Sequence, residues 1–298
     1  MTGPSVTVVV ITHNRRDEVL RTLDHMTSLP DAAPIILVDN DSADGTADAV
    51  RTTHPEVRLI AAHDNLGAVA RNVAVDLVTT PYVAFCDDDT RWQPGALTRG
   101  ARILDRHPSI ATVTGRCLVA PDLHDDPITP EMRDSPVDGP EWLPGPALLG
   151  IMAGLTMIRR SAFVAVGGFC PRFWLGGEEE LLALDLAAAG WWMVWDGGMV
   201  IHHEPSLSRD AGRRRRLGIR NTLWTLWLRR PLPVAARRSA EIVASAPHDL
   251  STLRAVTEAL TGLPWVVRNR RVVPPAVERG LRSLEAPQRA STARRYVG

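Results

Sequence analysis

Four short apolar runs alternate with helical segments over the first ninety residues of this chain. The runs occupy residues 6–11, 35–38, 57–60 and 82–86, and they are continuously apolar or nearly so. Such runs are typical of strands buried on both faces of a sheet. The segments between them, at about 15–28, 46–52 and 65–78, carry apolar residues at helical spacing. This alternation predicts an α/β fold whose central sheet is mostly parallel and flanked by helices.

Polar residues follow three of these runs at the point where each strand is expected to end. In parallel sheets of this kind, ligands bind outside the carboxyl ends of the strands. The three clusters therefore predict a binding site at that edge. They consist of Thr12 and Asn14, then Asp39, Asn40 and Asp41, and finally Asp87, Asp88 and Asp89.

The acidic triplet Asp87-Asp88-Asp89 is the most specific of these clusters. Three adjacent carboxylates repel one another and raise each other's pKa unless a cation lies among them. A hard divalent cation held by carboxylates and by substrate phosphates is the usual arrangement for Mg²⁺ or Mn²⁺ in nucleotide chemistry. The triplet thus indicates a site for a nucleoside diphosphate, and a solvated acidic turn is the alternative interpretation.

Charge is distributed unevenly along a chain whose formal net charge is zero. Residues 1–204 contain 28 acids and 15 arginines, whereas residues 205–298 contain 19 arginines and 6 acids. The chain has no lysine, which excludes a P-loop lysine and lysine Schiff-base chemistry. A basic C-terminal third predicts contact with an anionic partner, either a phosphate-rich ligand or a membrane surface.

Within that third, residues 209–238 combine arginines with leucine and tryptophan in a helical pattern. This composition is typical of a helix on an anionic membrane surface. Alternatively, Trp224 and Trp227 pack onto the rest of the protein and the arginines are solvated. No nucleic-acid recognition motif supports a nucleic-acid partner.

Other features of the sequence indicate where in the cell the protein is expected. No run approaches the roughly 18 apolar residues that span a bilayer, and no secretion signal is recognisable. The three cysteines have no metal-type spacing. We therefore expect a cytoplasmic protein that associates, if at all, with the inner face of the membrane. Residues 120–146 contain seven prolines and many acids, which predicts a long irregular segment.

Taken in order, these motifs resemble those of bacterial family 2 glycosyltransferases with the GT-A fold, similar to rhamnosyltransferase-like members. The resemblance covers residues 6–204. It implies a catalytic domain at 1–204, with a nucleotide-sugar-binding half at 1–110 and an acceptor-binding half at 111–204, followed by a basic helical C-terminal extension at 205–298. The matching segments are VVVITHNR (8–15), VDNDSADGT (38–46), NLG with ARN (65–72), DDD (87–89), GEE (177–179) and GW (190–191).

The resemblance also implies roles for individual residues. Asp89 binds Mn²⁺ or Mg²⁺ together with one histidine of the pair at 202–203, for which we prefer His202. Asp87 faces the ribose or a metal-bound water. The full set expected to bind the nucleotide-sugar is Thr12, Asn14, Asp39, Asp41, Asn65, Gly67, Arg71, Asp87 and Asp88.

The reaction implied is inverting, metal-dependent transfer of a sugar from a UDP-, GDP- or dTDP-sugar to an acceptor hydroxyl. The acceptor class stays open among a glycan, a lipid-linked glycan and a small molecule. Glu179 matches the position of the family's usual aspartate base, and Glu178 and Glu180 are competitors. Trp174 and Glu178 are expected on the acceptor side. Two other functions stay open, a sugar-nucleotide pyrophosphorylase and a non-catalytic nucleotide-sugar-binding module.

Overall fold

A nine-stranded sheet organises the first two-thirds of the chain in the computed structural model, which describes residues 5–205 and 211–291. The strands are β1 (Val6–Thr12), β2 (Ile35–Asp39), β3 (Arg58–Ala61), β4 (Tyr82–Asp87), β5 (Thr90–Trp92), β6 (Ile110–Val119), β7 (His124–Asp125), β8 (Thr156–Arg159) and β9 (Trp192–His203).

Helices cover both faces of the sheet and form most of the C-terminal third. They are α1 (Arg16–Thr27), α2 (Thr46–Thr53), α3 (Ala70–Asp76), α4 (Ala96–Arg106), α5 (Ile128–Arg133), α6 (Arg160–Ala165), α7 (Glu178–Ala188), α8 (Ala211–Arg229), α9 (Leu232–Ser245), α10 (Leu250–Thr261), α11 (Leu263–Asn269) and α12 (Pro275–Ala290). Short 3₁₀ turns precede α3 and β8, at Gly67–Val69 and Ala153–Leu155.

The sheet has a parallel half and a mixed half. Its order is β3-β2-β1-β4-β8-β6-β9-β5, with β7 paired to β6. The first four strands are mutually parallel. Strand β8 is antiparallel to both β4 and β6, β9 is parallel to β6, and β5 is antiparallel to β9. The predicted α/β class is confirmed. The sheet, predicted to be mostly parallel, is parallel over its four N-terminal strands and mixed beyond them.

Strand β1 shows why its residues form a central strand. Val8 and Val10 pack on one face with Leu23 of α1, whereas Val9 packs on the other face with Ala74 of α3. All five of these residues are buried. A continuously apolar run is stable only where both faces are covered, and burial of each such side chain contributes roughly 1.5–3 kcal/mol.

The C-terminal helices form a third apolar cluster. Leu223 and Trp224 of α8 pack with Ala255 and Ala259 of α10 and with Phe173, which precedes α7. The helical C-terminal extension is thus confirmed in its described part, while Arg209, where the predicted basic segment starts, lies outside the described residues. Among the residues that the structure describes, no helix has the length and hydropathy needed to cross a bilayer.

Candidate active site

The polar loops after β1, β2 and β4 meet at one edge of the sheet. Strand β1 runs parallel between β2 and β4, so that Thr12 pairs with Asp39 and Ile11 pairs with Asp87. The hydroxyl of Thr12 donates a hydrogen bond of 2.9 Å to the Asp88 carboxylate. The fold therefore brings together the three polar clusters that follow these strands.

Asn14 connects the loop after β1 to the loop after β2. Its backbone N–H donates to Ser42 Oγ at 2.8 Å, and its side-chain oxygen accepts from the N–H of Ala43 at 2.7 Å. Its φ of 51° lies in the left-handed region, which asparagine adopts more readily than most residues. Asp39 is buried and accepts a hydrogen bond from Ser42, whereas Asp41 is exposed. Of Asn14, Asp39 and Asp41, the first and the last therefore face solvent.

The loop that carries Asn65 and Gly67 is bonded to the segment before α7. The Asn65 side chain accepts from the N–H of Gly67 at 2.9 Å, and the backbone of Asn65 accepts from the Trp174 indole at 2.8 Å. Gly67 has a φ of 62°, and a Cβ there would overlap the backbone oxygen of Trp174. Arg213 lies 4.1 Å from the centre of the Trp174 ring. Trp174, expected on the acceptor side, thus supports this loop and has one ring face covered by Arg213.

Two arginines pair with the acidic triplet. Asp87 forms an ion pair with Arg71, whose side chain is buried and also donates to the backbone oxygen of Ala68 at 3.3 Å. The guanidinium of Arg15 lies 2.8 Å from Asp88 and 3.2 Å from Asp89. Arg71, which the resemblance places among the nucleotide-sugar-binding residues, thus contacts the triplet. Arg15 received no role from the sequence, although it follows Asn14 in the same loop.

The triplet still carries more negative charge than its arginines neutralise. Burial and the charges of Asp89 and Asp87 together raise the pKa of Asp88 to about 7, against the opposing effect of Arg15. A divalent cation relieves this kind of repulsion. The electrostatics of the triplet are therefore those of a cation site.

The histidine that approaches the triplet is His203. Its Nε2 lies 3.7 Å from a carboxylate oxygen of Asp89. His202 pairs with Arg91 where β9 lies beside β5. Burial lowers the pKa of His202, and the nearby positive charges of His25 and Arg91 lower it as well. Neighbouring residues on a strand point to opposite faces, so the two histidines do not share one environment. This geometry favours His203 over His202, for which we expressed a preference from the sequence.

Two further side chains lie beside His203. Cys117 Sγ, a carboxylate oxygen of Asp126 and a ring nitrogen of His203 lie within 4.8 Å of one another. Burial raises the pKa of the Cys117 thiol to about 12, and the charge of Asp126 adds to that rise. The thiol is therefore protonated at neutral pH, which leaves the imidazole and the carboxylates as the ligands available to a hard cation.

Helix α7 presents two glutamates to the same site. It begins at Glu178 after Gly176 and Gly177, whose φ values of 82° and 88° turn the chain sharply. Glu179 Oε1 accepts a hydrogen bond from the backbone N–H of Ala153. Glu178 is buried, and its Oε2 has no hydrogen-bond partner among the described residues.

Both glutamates are shifted toward the protonated form. Burial raises the pKa of Glu178, and burial together with the charge of Glu178 raises the pKa of Glu179 to about 8. A carboxyl group with a pKa near the working pH has the acidity that suits a general base.

Gly154 brings the glutamates and the triplet into one site. A Cβ at this position would lie 2.7 Å from Asp87 Oδ2, so only glycine allows the turn to approach this carboxylate. Ala153 in the same turn holds Glu179. The charges of Asp87 and Arg71 act on Glu179 as well. The predicted base and the predicted cation site are therefore neighbours in the fold.

The sequence model described as "Glycosyl transferase family 2" matches residues 7–166, which is more than half of the chain. This chain belongs to glycosyl transferase family 2. This membership confirms the resemblance found in the motifs. It also shows that the chain is a glycosyltransferase. It favours glycosyl transfer over the pyrophosphorylase and binding-module alternatives.

Curated relatives of this glycosyltransferase are bacterial enzymes. It is 29% identical over 244 residues to the N-acetylglucosaminyl-diphospho-decaprenol L-rhamnosyltransferase of Mycobacterium tuberculosis, an alignment that covers 68% of this chain and 78% of the relative. It is 29% identical over 109 residues to the amylovoran biosynthesis glycosyltransferase of Erwinia amylovora, with 34% and 36% of the two chains covered.

Solved structures support the GT-A fold. A mannosyltransferase from Pyrobaculum calidifontis, solved with GDP-Man and Mn²⁺, matches with a TM-score of 0.60 and 21% identity over 100% of this chain and 86% of that one. GalNAc-T7, solved with UDP, GalNAc and Mn²⁺, matches with a TM-score of 0.62 and 14% identity over 89% of this chain and 56% of that one.

The C-terminal region of this glycosyltransferase reaches the site through Asn221 of α8. The Asn221 side chain is fully buried, and its amide nitrogen lies 2.9 Å from the backbone oxygen of Phe173 and 3.2 Å from that of Leu175. It also donates to the backbone oxygen of Gly176. Asn221 thus fixes the segment that leads directly into Glu178 and Glu179.

Proposed function

We propose that this enzyme transfers a sugar from a nucleotide-sugar to an acceptor hydroxyl in a metal-dependent, inverting reaction. The observation that carries the proposal is the approach of Gly154 to Asp87, which joins the acidic triplet to the turn that holds Glu179. Cation site and base would then flank the anomeric carbon of one bound donor.

For the donor, the proposed contacts come from the carboxyl ends of the parallel strands. Asn14 and Asp41 are exposed there, and we assign them direct contact with the nucleotide. Thr12 and Asp39 are buried and bonded to neighbouring loop residues, so they would shape the pocket. Asn65, Gly67 and Arg71 would support the loops, and Asp87 would face the ribose.

For the metal, we assign Asp89 and His203 as the protein ligands. Their oxygen and nitrogen atoms lie 3.7 Å apart, and the acidity of the triplet favours a divalent cation. Mn²⁺ or Mg²⁺ suits this set because both accept carboxylate ligands and leave positions for donor phosphates. When bound, the metal neutralises the charge that develops on the departing diphosphate.

For the base, we assign Glu179. Its carboxylate would accept the proton of the acceptor hydroxyl while that oxygen bonds to the anomeric carbon, and the bond from this carbon to the diphosphate oxygen would break. A single displacement from the face opposite the leaving group inverts the configuration. General-base assistance of this kind contributes about 10²–10⁴-fold. Glu178, buried beside it, would keep the pKa of Glu179 raised.

For the acceptor, we propose a lipid-linked glycan. The support is the name of the mycobacterial relative, whose acceptor is a sugar diphosphate on decaprenol. A glycan without a lipid and a small molecule are the outcomes that would replace it. The donor class is proposed only as a UDP-, GDP- or dTDP-sugar.

A thermal-shift screen of UDP-, GDP- and dTDP-sugars, with and without Mn²⁺, tests the proposal first. We expect one nucleotide class to stabilise the protein only when Mn²⁺ is present, and Asp89→Ala to abolish that shift. The donor identified in this way is then incubated with prenyl-diphosphate-linked and free sugars, and the anomeric configuration of the product is read by NMR. A retained configuration, or a stabilisation independent of metal, would refute the corresponding part of the proposal.

A further inference from the structure

The tryptophans of the basic helix α8 face inward. Trp224 is buried, and its indole donates to the backbone oxygen of Ala259 at 3.0 Å. The indole of Trp227 donates to Ser239 Oγ at 2.9 Å. The predicted membrane element at 209–238 therefore uses its tryptophans for packing, as in the alternative interpretation, and its aromatic side is not available to a lipid surface.

A group of exposed apolar side chains lies instead on α10 and α11. Leu250, Leu253 and Leu260 are 69%, 62% and 52% exposed, and Val267 of α11 is 72% exposed. Residues three, four and seven positions apart share one face of a helix, so the three leucines form an outward row on α10. The opposite face contains Thr252, Ala255 and Ala259, which are buried. We call the outward face, with Leu263 and Val267 of α11, the leucine row.

Three arginines follow members of the leucine row in sequence, two of them directly. Arg254, Arg268 and Arg271 are exposed and have no ion-pair partner among residues 5–205 and 211–291. The two acids of the segment are already neutralised, because Asp249 pairs with Arg215 and Glu258 pairs with Arg216 and Arg220 of α8. The outer surface of α10 and α11 therefore combines exposed apolar side chains with positive charge that no acid of the segment neutralises.

We propose that the leucine row rests on an anionic lipid bilayer. Leucine and valine side chains enter the acyl boundary of a bilayer, while arginines reach its phosphate groups. A surface that combines charges of one sign with an apolar row matches the negative surface of a membrane better than it matches a second copy of itself, since the arginines of two copies would repel each other.

This surface is mechanically connected to the active site. Helix α8 packs on α10 through Trp224 and Ala259, and it holds the segment before α7 through Asn221. The inference rests on the proposed function in one respect, because a lipid-linked acceptor gives the enzyme a reason to work at a membrane. The leucine row would then set the distance between the bilayer and the glutamates of α7.

Vesicle co-sedimentation of the full chain tests the proposal. We expect binding to phosphatidylcholine vesicles that contain about 30% phosphatidylglycerol, and weaker binding to pure phosphatidylcholine or at high salt. The double variant L253Q/L260Q is expected to bind at least about tenfold more weakly. The control V164Q changes a valine that is 51% exposed on α6, and it is expected to bind like the wild type.

A second pair of variants isolates the charge. R254Q/R268Q is expected to weaken binding to anionic vesicles only, whereas R102Q/R106Q, which removes two exposed arginines of α4, is expected to leave it unchanged. Equal binding by L253Q/L260Q and wild type would overturn the proposal. So would a dimer in sedimentation velocity that this variant dissociates, because the row would then be an interface between copies.

The proposed function has its own readout. Slow release of nucleoside diphosphate from the donor in the presence of Mn²⁺, without vesicles, is expected to be the same for L253Q/L260Q and wild type. If wild type releases none but still binds vesicles, the glycosyl-transfer assignment fails and the leucine row stands. If release is normal and no vesicles are bound, the leucine row fails and the transferase assignment stands.

Discussion

Gly154 packs against the carboxylate of Asp87, with space for a hydrogen atom but not for a methyl group, since a Cβ there would lie 2.7 Å from Asp87 Oδ2. The ion pair between Asp87 and Arg71 depends on that space. Two regions 67 residues apart in sequence are thereby held in register, the triplet loop on one side and the turn that binds Glu179 on the other.

Gly154→Ala is therefore expected to displace Asp87 and to reduce kcat/KM by at least about tenfold, because displacements of about 1 Å at a reacting centre are costly. The matched control is Gly150→Ala, since a Cβ at Gly150 meets nothing within 4 Å. Donor-dependent release of nucleoside diphosphate is the measurement. Equal rates for both variants would show that this contact does not matter to catalysis.

Glu179→Gln is expected to lower turnover by at least about 100-fold while donor binding is preserved, because glutamine cannot take up the proton of the acceptor hydroxyl. The shape of glutamine keeps an acceptor for the N–H of Ala153. Glu178→Gln and Glu180→Gln are the neighbouring controls, since either could be the base if the helix presents them to the acceptor. The variant with the largest loss of kcat at unchanged donor affinity identifies the base, and a loss confined to another glutamate contradicts the assignment of Glu179.

The same substitution, Glu179→Gln, should stabilise the protein at high pH although it lowers turnover. Its native pKa of about 8 lies above the ordinary value of 4.5, so the native state keeps a proton that the unfolded chain releases. Stability is therefore lost as pH rises from about 4.5 to about 8. Glutamine carries no such proton, and we expect Glu179→Gln to raise Tm above pH 8 and to change it little near pH 4.5. A lower Tm at high pH would contradict the raised pKa.

The first four strands and their helices could be predicted from the sequence because each buries residues close together in the chain. The continuous apolar pattern of 6–11, for example, becomes a strand with Val8 and Val9 buried on opposite faces. The irregular segment at 120–146 contains helix α5, whose six residues are too few for a periodic pattern to reveal.

The parts of the site that escaped prediction depend on register and long-range contacts. Choosing between His202 and His203 requires knowing which face of β9 turns to Asp89, and this depends on the pairing of β9 with β5. Arg15 reaches a triplet more than seventy residues away. In the C-terminal region the sequence suggested an amphipathic surface on α8, but the exposed apolar row belongs to α10 because Trp224 packs inward.

The two histidines give a direct test of the metal assignment. His203→Ala is expected to weaken Mn²⁺ binding at least about tenfold, since changes even at residues that only orient metal ligands cost 10–100-fold. His202→Ala is expected to leave the Mn²⁺ affinity unchanged, because the charges that shift the pKa of His202 are those of His25, Arg91 and Glu204 and not that of Asp89. Titration with Mn²⁺ followed by electron paramagnetic resonance, in the presence of nucleoside diphosphate, measures both. Equal weakening by the two variants would contradict the strand geometry.

Asn221 is expected to act on the reaction without touching the substrate. Asn221→Ala removes the side-chain donor from the part-buried carbonyls of Leu175 and Gly176, and loss of such bonds costs about 1–3 kcal/mol where the group is left unsatisfied. The carbonyl of Phe173 still accepts from Arg220 and from the N–H of Leu175. Because these carbonyls belong to the segment that begins α7, we expect turnover to fall more than a global loss of stability explains, with the affinity for donor and Mn²⁺ retained. Asn269→Ala is the control, since within the described part of the chain its amide donates to Trp265 alone, one helical turn away. If Asn221→Ala is as active as wild type at a temperature where both are fully folded, Asn221 has only a structural role.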